Sequence, residues 1–160
     1  LKRHRTDTLI SLADLGPTLL SLAGVPKPEG MEGLDLSRPI RGKDGPRHDS
    51  VPIMDIVPAD QAVRWGGKEW RGIRTLRHTY VRLQDGGWLL YDNLRDPFQQ
   101  KNLINDPAHK NLRDELEAKL QAWLKKLGDK FLLGEEQLAE LGQLDAWKAR
   151  ERHFHGGGRW

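Results

Sequence analysis

Apolar side chains recur at helical spacing in the second half of the chain. Six of them lie three or four residues apart: Leu112, Leu116, Leu120, Trp123, Leu124 and Leu127. This spacing lines up one side of an α-helix. Asp106 and Pro107 are typical of a helix start, and Gly128 is typical of a helix end. The pattern therefore predicts an amphipathic helix over residues 107–127.

Alternating and β-branched stretches precede this helix. They predict strands over residues 51–57, 70–76, 79–83 and 88–91. Asp85, Gly86 and Gly87 favour a hairpin between the last two strands, because these residues accept a positive φ. Four strands in close succession predict a small antiparallel sheet, and one face of the helix would be buried on it.

Two further helical patterns lie near the ends of the chain. Asp14 as a cap, Pro17 in the first turn and Gly24 after the end predict a helix over residues 14–23. Its short apolar stripe predicts packing against a larger body: Leu15, Leu19 and Leu22. The following loop, residues 25–45, predicts one helical turn capped by Ser37, and a last helix is predicted over residues 135–152.

The composition excludes several classes of protein and site. The 160 residues contain no cysteine, which removes disulfides, thiolate zinc sites and a cysteine nucleophile. No stretch approaches the roughly 20 apolar residues of a membrane-spanning helix. The net charge of +3 gives a nucleic-acid module little support, because acidic and basic residues are interleaved. Since the chain begins with Leu1, we expect a processed chain or a piece of a larger one.

No complete catalytic constellation is visible in the sequence. The six histidines show no metal-ligand spacing, and the carboxylates of Asp114, Glu115 and Glu117 are expected on the solvated side of the long helix. Aromatic and basic side chains do cluster between residues 62 and 71. Such a loop can hold a sugar ring or an anion. The candidate substrate-binding residues are Arg64, Trp65, Lys68, Trp70 and Arg71.

Four blocks of sequence resemble the type I, formylglycine-dependent sulfatases of the arylsulfatase-like family. Residues 11–26 read SLADLGPTLLSLAGVP and resemble the family pattern DLxPTLLxLAGxPxP. Residues 29–42 resemble the loop that follows it, and residues 70–81 resemble WRAVRTxRYKYI. Residues 90–103 resemble LYDLxxDPxExxNL, although Gln99 and Gln100 stand where an acidic residue is usual. The blocks keep the family's order over residues 8–127, so the chain resembles a sulfatase C-terminal region.

The resemblance implies an architecture and a division of the chain. Sulfatases share an alkaline-phosphatase-like α/β fold with a C-terminal subdomain. The expected fold class is α+β: a small antiparallel four-stranded sheet covered by a C-terminal helix, with an N-terminal helix from the edge of the large α/β domain. Residues 1–45 would end the large domain, residues 46–128 would form the subdomain, and residues 129–160 would be a helical extension and tail.

The resemblance also implies an activity for the larger protein. The family hydrolyses sulfate esters with a formylglycine and a divalent cation, usually Ca²⁺. Their motif and ligands come earlier in the family's sequence than the matched blocks, so no catalytic residue or metal ligand is carried onto this chain. We expect it to be inactive alone, and residues 62–71 are placed at the substrate entrance.

The expected partners follow from the same resemblance. They are the rest of the catalytic domain, a sulfated substrate such as a carbohydrate, and a second copy of the chain if the apolar face pairs. The family also suggests a periplasmic or extracellular location. A stand-alone domain that binds polyanions or proteins, or that oligomerises, is the alternative interpretation.

Overall fold

The structure is a computed structural model that describes residues 5–56 and 66–155. Its centre is one antiparallel sheet of four strands in the order β1-β2-β3-β4. They are β1 (Ser50–Asp55), β2 (Trp70–Thr75), β3 (His78–Leu83) and β4 (Gly86–Asp92). All four predicted strands are confirmed, and so is the β3–β4 hairpin, but its turn is Gln84–Asp85, and the predicted turn residues Gly86 and Gly87 instead begin β4. Val57, the predicted end of the first strand, lies outside the described residues.

The helices confirm most of the predicted pattern. They are α1 (Leu15–Leu22), α2 (Ser37–Ile40), α3 (Lys110–Leu127), α4 (Gly134–Glu140) and α5 (Leu144–His155). Short 3₁₀ turns, Leu12–Asp14 and Pro107–His109, precede α1 and α3. The Asp106 carboxylate caps the second turn by accepting from the Ala108 N–H at 2.9 Å. Gly128 ends α3 with a φ of 65°, as predicted.

The prediction of a single C-terminal helix over residues 135–152 is wrong. The chain forms α4 and α5 instead, and Gly142 between them has a φ of 65°. A left-handed residue cannot continue an α-helix, and glycine adopts this conformation without a steric penalty. The periodicity of the leucines is continuous across the break, so only this glycine marks it.

The core lies between one face of the sheet and α3. Ile73, Tyr80 and Leu90 stand opposite one another on adjacent strands, and all three are almost fully buried. They form one cluster with the leucines of the predicted helical stripe: Leu116, Leu120 and Leu124. Each such leucine contributes about 1.5–3 kcal/mol to stability. The predicted two-layer α+β arrangement is therefore confirmed.

Asp14 holds the predicted N-cap position of α1, but its side chain makes no capping bond to that helix. Its buried carboxylate accepts backbone N–H bonds from Ser11 at 2.7 Å and Leu34 at 2.8 Å. It also lies 2.9 Å from Nε2 of His48. These contacts close the turn before α1 and tie it to the loop that follows. Ser37 was predicted to cap α2, but it is the first residue of that helix, and Leu36 holds the cap position.

Two of the three leucines in the predicted α1 stripe, Leu15 and Leu19, are exposed together with Leu12 in the preceding turn, whereas the third, Leu22, is half-buried. Leu12, Leu15 and Leu19 are 87%, 46% and 63% exposed, respectively. The opposite side of the helix is anchored, since Thr18 Oγ1 accepts from the Leu36 N–H at 2.9 Å. The exposed leucines therefore project away from the rest of the described chain. Within the described residues, no helix is both long enough and apolar enough to cross a bilayer.

Candidate functional site

The predicted binding residues lie where the chain enters β2. Trp70 is the first residue of this strand and stands opposite Asp55 at the end of β1. Lys68 is exposed and Trp70 is half-buried, so both are accessible at the same end of the sheet. Arg64 and Trp65, the other two residues predicted at the surface of this loop, lie outside the described residues. The described part of the candidate site is thus the segment 66–70.

Arg71 was predicted to bind substrate at the surface, but its side chain lies inside the fold. It is fully buried, and its Nε and Nη2 donate to Asp129 Oδ2 and Oδ1 at 2.5 and 3.3 Å. Its Nη1 donates to the Asp55 and Trp70 carbonyls at 3.0 and 3.2 Å. The guanidinium also lies 4.6 Å from the centre of the Phe131 ring. Successive strand residues face opposite sides of a sheet, so Arg71 turns inward where Trp70 does not.

Hydrogen bonds favour the ionised form of the Asp129 carboxyl beside the buried Arg71 side chain. Burial by itself would raise the pKa of the Asp129 carboxyl. The Arg71 guanidinium and the Phe131 N–H outweigh that effect, and they hold the pKa of Asp129 below its ordinary value. An ionised, two-pronged pair is a rigid contact, because removing either partner leaves a buried charge without compensation.

A second contact joins the candidate site to the C-terminal part of the chain. Oε1 of Glu69 accepts the backbone N–H of Gly134 at 2.6 Å. Neither Glu69 nor Asp129 is among the residues that the sequence pattern predicts for the site. Both pair with residues far away in the sequence, 65 and 58 positions respectively. No local pattern marks such partners.

Shallow clefts border the sheet in the described part of the chain, and two of them bear on the predicted residues. One, of about 310 Å³, lies beside the candidate site. Its apolar lining comes from Met54, Ile56, Leu127 and Leu132. The other, of about 260 Å³, lies between β3 and α3 and contains Tyr80, Arg82 and Glu117. The expectation that Glu117 lies in solvent is wrong. It is half-buried and accepts a hydrogen bond from Tyr80.

Two features that formylglycine-dependent chemistry would need, a cluster of metal ligands and a modification motif, can be checked in the described residues. Within residues 5–56 and 66–155, no three His, Asp or Glu side chains lie together as metal ligands. In the resembled sulfatases the formylglycine forms in a C/S-x-P-x-R motif, and residues Ser37 to Arg41 read S-R-P-I-R, which matches the serine form of that motif. Ser37 is buried there, and its hydroxyl shares a 2.9 Å hydrogen bond with Ser21. These contacts assign that string to the packing of α2 on α1.

Comparison with known proteins gives the family. Residues 1–126 match the family described as N-sulphoglucosamine sulphohydrolase, C-terminal. The chain belongs to this family. It is 38% identical over 122 residues to an ulvan-active sulfatase of Formosa agariphila, covering 76% of the chain and 24% of that protein. It is 30% identical over 118 residues to a delta 4,5-hexuronate-2-O-sulfatase of Bacteroides thetaiotaomicron, with coverages of 74% and 24%.

Solved sulfatases share the fold. A 2-O GAG sulfatase superposes with a TM-score of 0.64 at 29% identity, covering 74% of this chain and 25% of that one. A second structure, solved with its substrate D-glucosamine-2-N,6-O-disulfate, gives a TM-score of 0.59 at 25% identity, with coverages of 73% and 24%. The chain therefore spans about a quarter of the length of these relatives. The predicted sulfatase C-terminal region and its α+β fold are confirmed.

Proposed function

We propose that this chain is the supporting C-terminal part of a sulfuric ester hydrolase, and that the segment 66–70 lines the entrance to its active site. The family match supports the first half of this proposal. The second half rests on one observation. Exposed Lys68 and half-buried Trp70 stand together at one end of the sheet, next to Arg71, whose buried side chain pairs with Asp129. Binding side chains that are positioned by a rigid part of the fold are typical of a substrate entrance.

The two side chains suit a sulfated sugar. The Lys68 ammonium attracts the permanent negative charge of a sulfate ester, and the indole of Trp70 offers a flat apolar surface to a sugar ring. The names of two relatives refer to a hexuronate and to D-glucosamine, which are sugars. Arg64 and Trp65 are proposed to belong to the same entrance. Arg71 would act from inside the fold, by fixing the root of the segment.

The reacting groups are proposed to come from the rest of the enzyme. A formylglycine and a divalent cation supply sulfatase chemistry when they are bound, but the residues present here do not fit them. The chain has no cysteine, and its one S-x-P-x-R string is used in packing. Among the described residues no cluster of three metal ligands occurs. We therefore expect no turnover from this chain alone.

The exposed side of α1 is proposed to pack on that catalytic part. Relatives are about four times as long as the matched region, so a large domain is available to cover Leu12, Leu15 and Leu19. In this arrangement residues 1–45 end the catalytic domain, residues 46–128 form the C-terminal subdomain, and residues 129–160 extend it.

Substitution of Lys68 tests the proposed entrance. In the intact enzyme that carries this chain, Lys68→Ala should raise KM about tenfold, equivalent to about 1.4 kcal/mol of binding energy, with kcat unchanged. The effect should shrink at high salt, which screens exposed charges. Lys125→Ala is the matched control, because Lys125 is an exposed lysine on α3. Wild-type kinetics for both Lys68→Ala and Trp65→Ala would refute the proposal.

A further inference from the structure

The segment Asp129–Gly134, which we call the clasp, runs from the end of α3 back to the sheet. It lies beyond residue 126, where the family match ends. Phe131 within it is 9% exposed and belongs to the core cluster. The clasp is therefore a packed part of the fold, and the resemblance to sulfatases gives it no role.

The clasp contacts the chain at the start of β2, where the candidate site begins, at two points. Asp129 pairs with Arg71, just after the segment 66–70, while Gly134 donates its N–H to Glu69, inside that segment. Arg71 in turn donates to the Asp55 carbonyl at 3.0 Å, so the end of β1 is tied to the same contact. A third anchor lies farther along the sheet, where the Gln84 side chain donates to the Phe131 carbonyl at 2.9 Å.

The backbone of the clasp is strained. Phe131 has a φ of 52°, a left-handed conformation that is unusual for a bulky side chain and sterically unfavourable. Two contacts maintain it: the Phe131 N–H donates to Asp129 Oδ1 at 2.7 Å, and its ring lies under the Arg71 guanidinium. Strain of this kind persists only where the surroundings determine the conformation, and it is concentrated at sites whose geometry matters.

We propose that the clasp positions the segment 66–70 for substrate binding, with Glu69 and Asp129 as positioning residues. This inference rests on the proposed role of Lys68 and Trp70. Glu69 stands between these two residues, so its bond to Gly134 fixes the backbone from which both side chains project. Fixing them before the substrate arrives removes an ordering cost from binding. The clasp touches no reacting atom, so its loss should change KM and leave kcat unchanged.

The test compares Glu69→Ala with Glu69→Gln in the intact enzyme. The alanine variant loses the acceptor for the Gly134 N–H, whereas the glutamine keeps a carbonyl oxygen there. Lys130→Ala is the matched control, because Lys130 lies in the clasp but pairs with Glu140 outside the site. Hydrogen exchange of the amides of residues 66–70 is measured beside KM and kcat. Thermal unfolding of each variant shows whether it is folded.

We expect Glu69→Ala to speed amide exchange in residues 66–70 and to raise KM about three- to tenfold at constant kcat. Lys130→Ala should behave like the wild type. Glu69→Gln should keep the slow amide exchange of the wild type, because it keeps the acceptor for the Gly134 N–H, and its KM should not rise, since the substitution only removes a negative charge near an anionic substrate. Unchanged exchange in Glu69→Ala would overturn the inference. Faster exchange with an unchanged KM in Glu69→Ala would also overturn the inference, provided that Lys68→Ala still raises KM. If Lys68→Ala is also silent, the failure belongs to the proposed entrance itself, and the substrate role of the clasp is overturned with it.

Discussion

The hydroxyl of Tyr80 donates a 2.6 Å hydrogen bond to Oε2 of Glu117, across the interface between the sheet and α3. Oε1 of the same carboxylate accepts from Arg82 Nη1 at 2.7 Å. Tyr80 is 2% exposed. Its burial, followed by its bond to Glu117, raises the pKa of the Tyr80 hydroxyl well above its usual range. This network fastens the centre of α3 to β3 at the edge of the apolar core.

Removal of the Glu117 carboxylate should therefore destabilise the fold. Glu117→Ala leaves the buried Tyr80 hydroxyl without its acceptor, which costs about 1–3 kcal/mol. Glu115→Ala is the matched control, because Glu115 is exposed on the same helix, and it should stay within about 0.5 kcal/mol of the wild type. Urea unfolding of the chain gives both free energies. Equal values for the two variants would show that the network contributes nothing.

Glu117 also shows which features of α3 could be predicted from the sequence and which could not. The leucine spacing identifies the helix and its buried side, because burial of a continuous apolar stripe dominates its stability. Glu117 follows a buried leucine directly, at the border of that stripe. Whether a border carboxylate points to solvent or reaches a partner depends on Tyr80 and Arg82, which come from another element. Periodicity along one element carries no information on such contacts.

The candidate site could likewise be predicted only in part: the residues within one segment could, and their contacts with distant segments could not. Local composition selects Lys68 and Trp70, and the strand period of two places Arg71 on the opposite face. The partner of Arg71 could not be predicted, because Asp129 lies 58 residues further along the chain. The break at Gly142 was missed for a different reason: one glycine in a leucine-rich pattern is an ambiguous signal.

The Asp14 carboxyl should make stability depend on pH in the acid range. Burial alone would raise its pKa, but bonds from the Leu34 and Ser11 N–H groups and from His48 outweigh it and lower the pKa below 3.8. A carboxyl with a depressed pKa contributes stability that is fully present above its unfolded pKa. That contribution is lost as the pH falls from about 3.8 through the folded value.

Asp14→Asn tests this contribution. The amide cannot ionise, so the variant should be less stable at neutral pH by about 1–3 kcal/mol, because hydrogen bonds to a charged acceptor are the stronger ones. Its free energy of unfolding should also fall less steeply than that of the wild type below the ordinary pKa of the carboxyl. Urea midpoints across the acid range measure both effects. Parallel pH profiles for the two proteins would contradict the assigned role of Asp14.

Two glycines in the loop after α1 should respond differently to alanine. Gly30 and Gly33 both have a positive φ, of 76° and 88°. A Cβ at Gly30 meets nothing within 4 Å, whereas one at Gly33 would lie 2.1 Å from the Ala13 carbonyl oxygen. Gly30→Ala should therefore cost only the conformational penalty of about 1–2 kcal/mol. Gly33→Ala adds a backbone clash next to the Leu34–Asp14 bond and should cost about 1–3 kcal/mol more. Similar melting temperatures for the two variants would argue against this close approach.

Substitutions on the exposed side of α1 can distinguish a supporting part of a larger enzyme from a stand-alone module. In the chain alone, Leu12→Ser with Leu19→Ser should change the free energy of unfolding by less than about 0.5 kcal/mol, because both leucines are exposed. Leu116→Ala, a core control, should cost about 2–5 kcal/mol. The pair should also reduce self-association in sedimentation, since it removes apolar surface.

In the intact enzyme, the same two leucines are proposed to be buried against the catalytic domain. The double serine variant should then lower stability by about 3 kcal/mol or more, because each buried leucine contributes about 1.5–3 kcal/mol. The measurement is urea unfolding of the intact enzyme, compared with the chain alone. If the substitutions are silent in both, the face has no partner in the enzyme. If they instead abolish a stable dimer of the chain alone, the face belongs to a self-associating module, because a second copy then covers the leucines that the catalytic domain was proposed to cover.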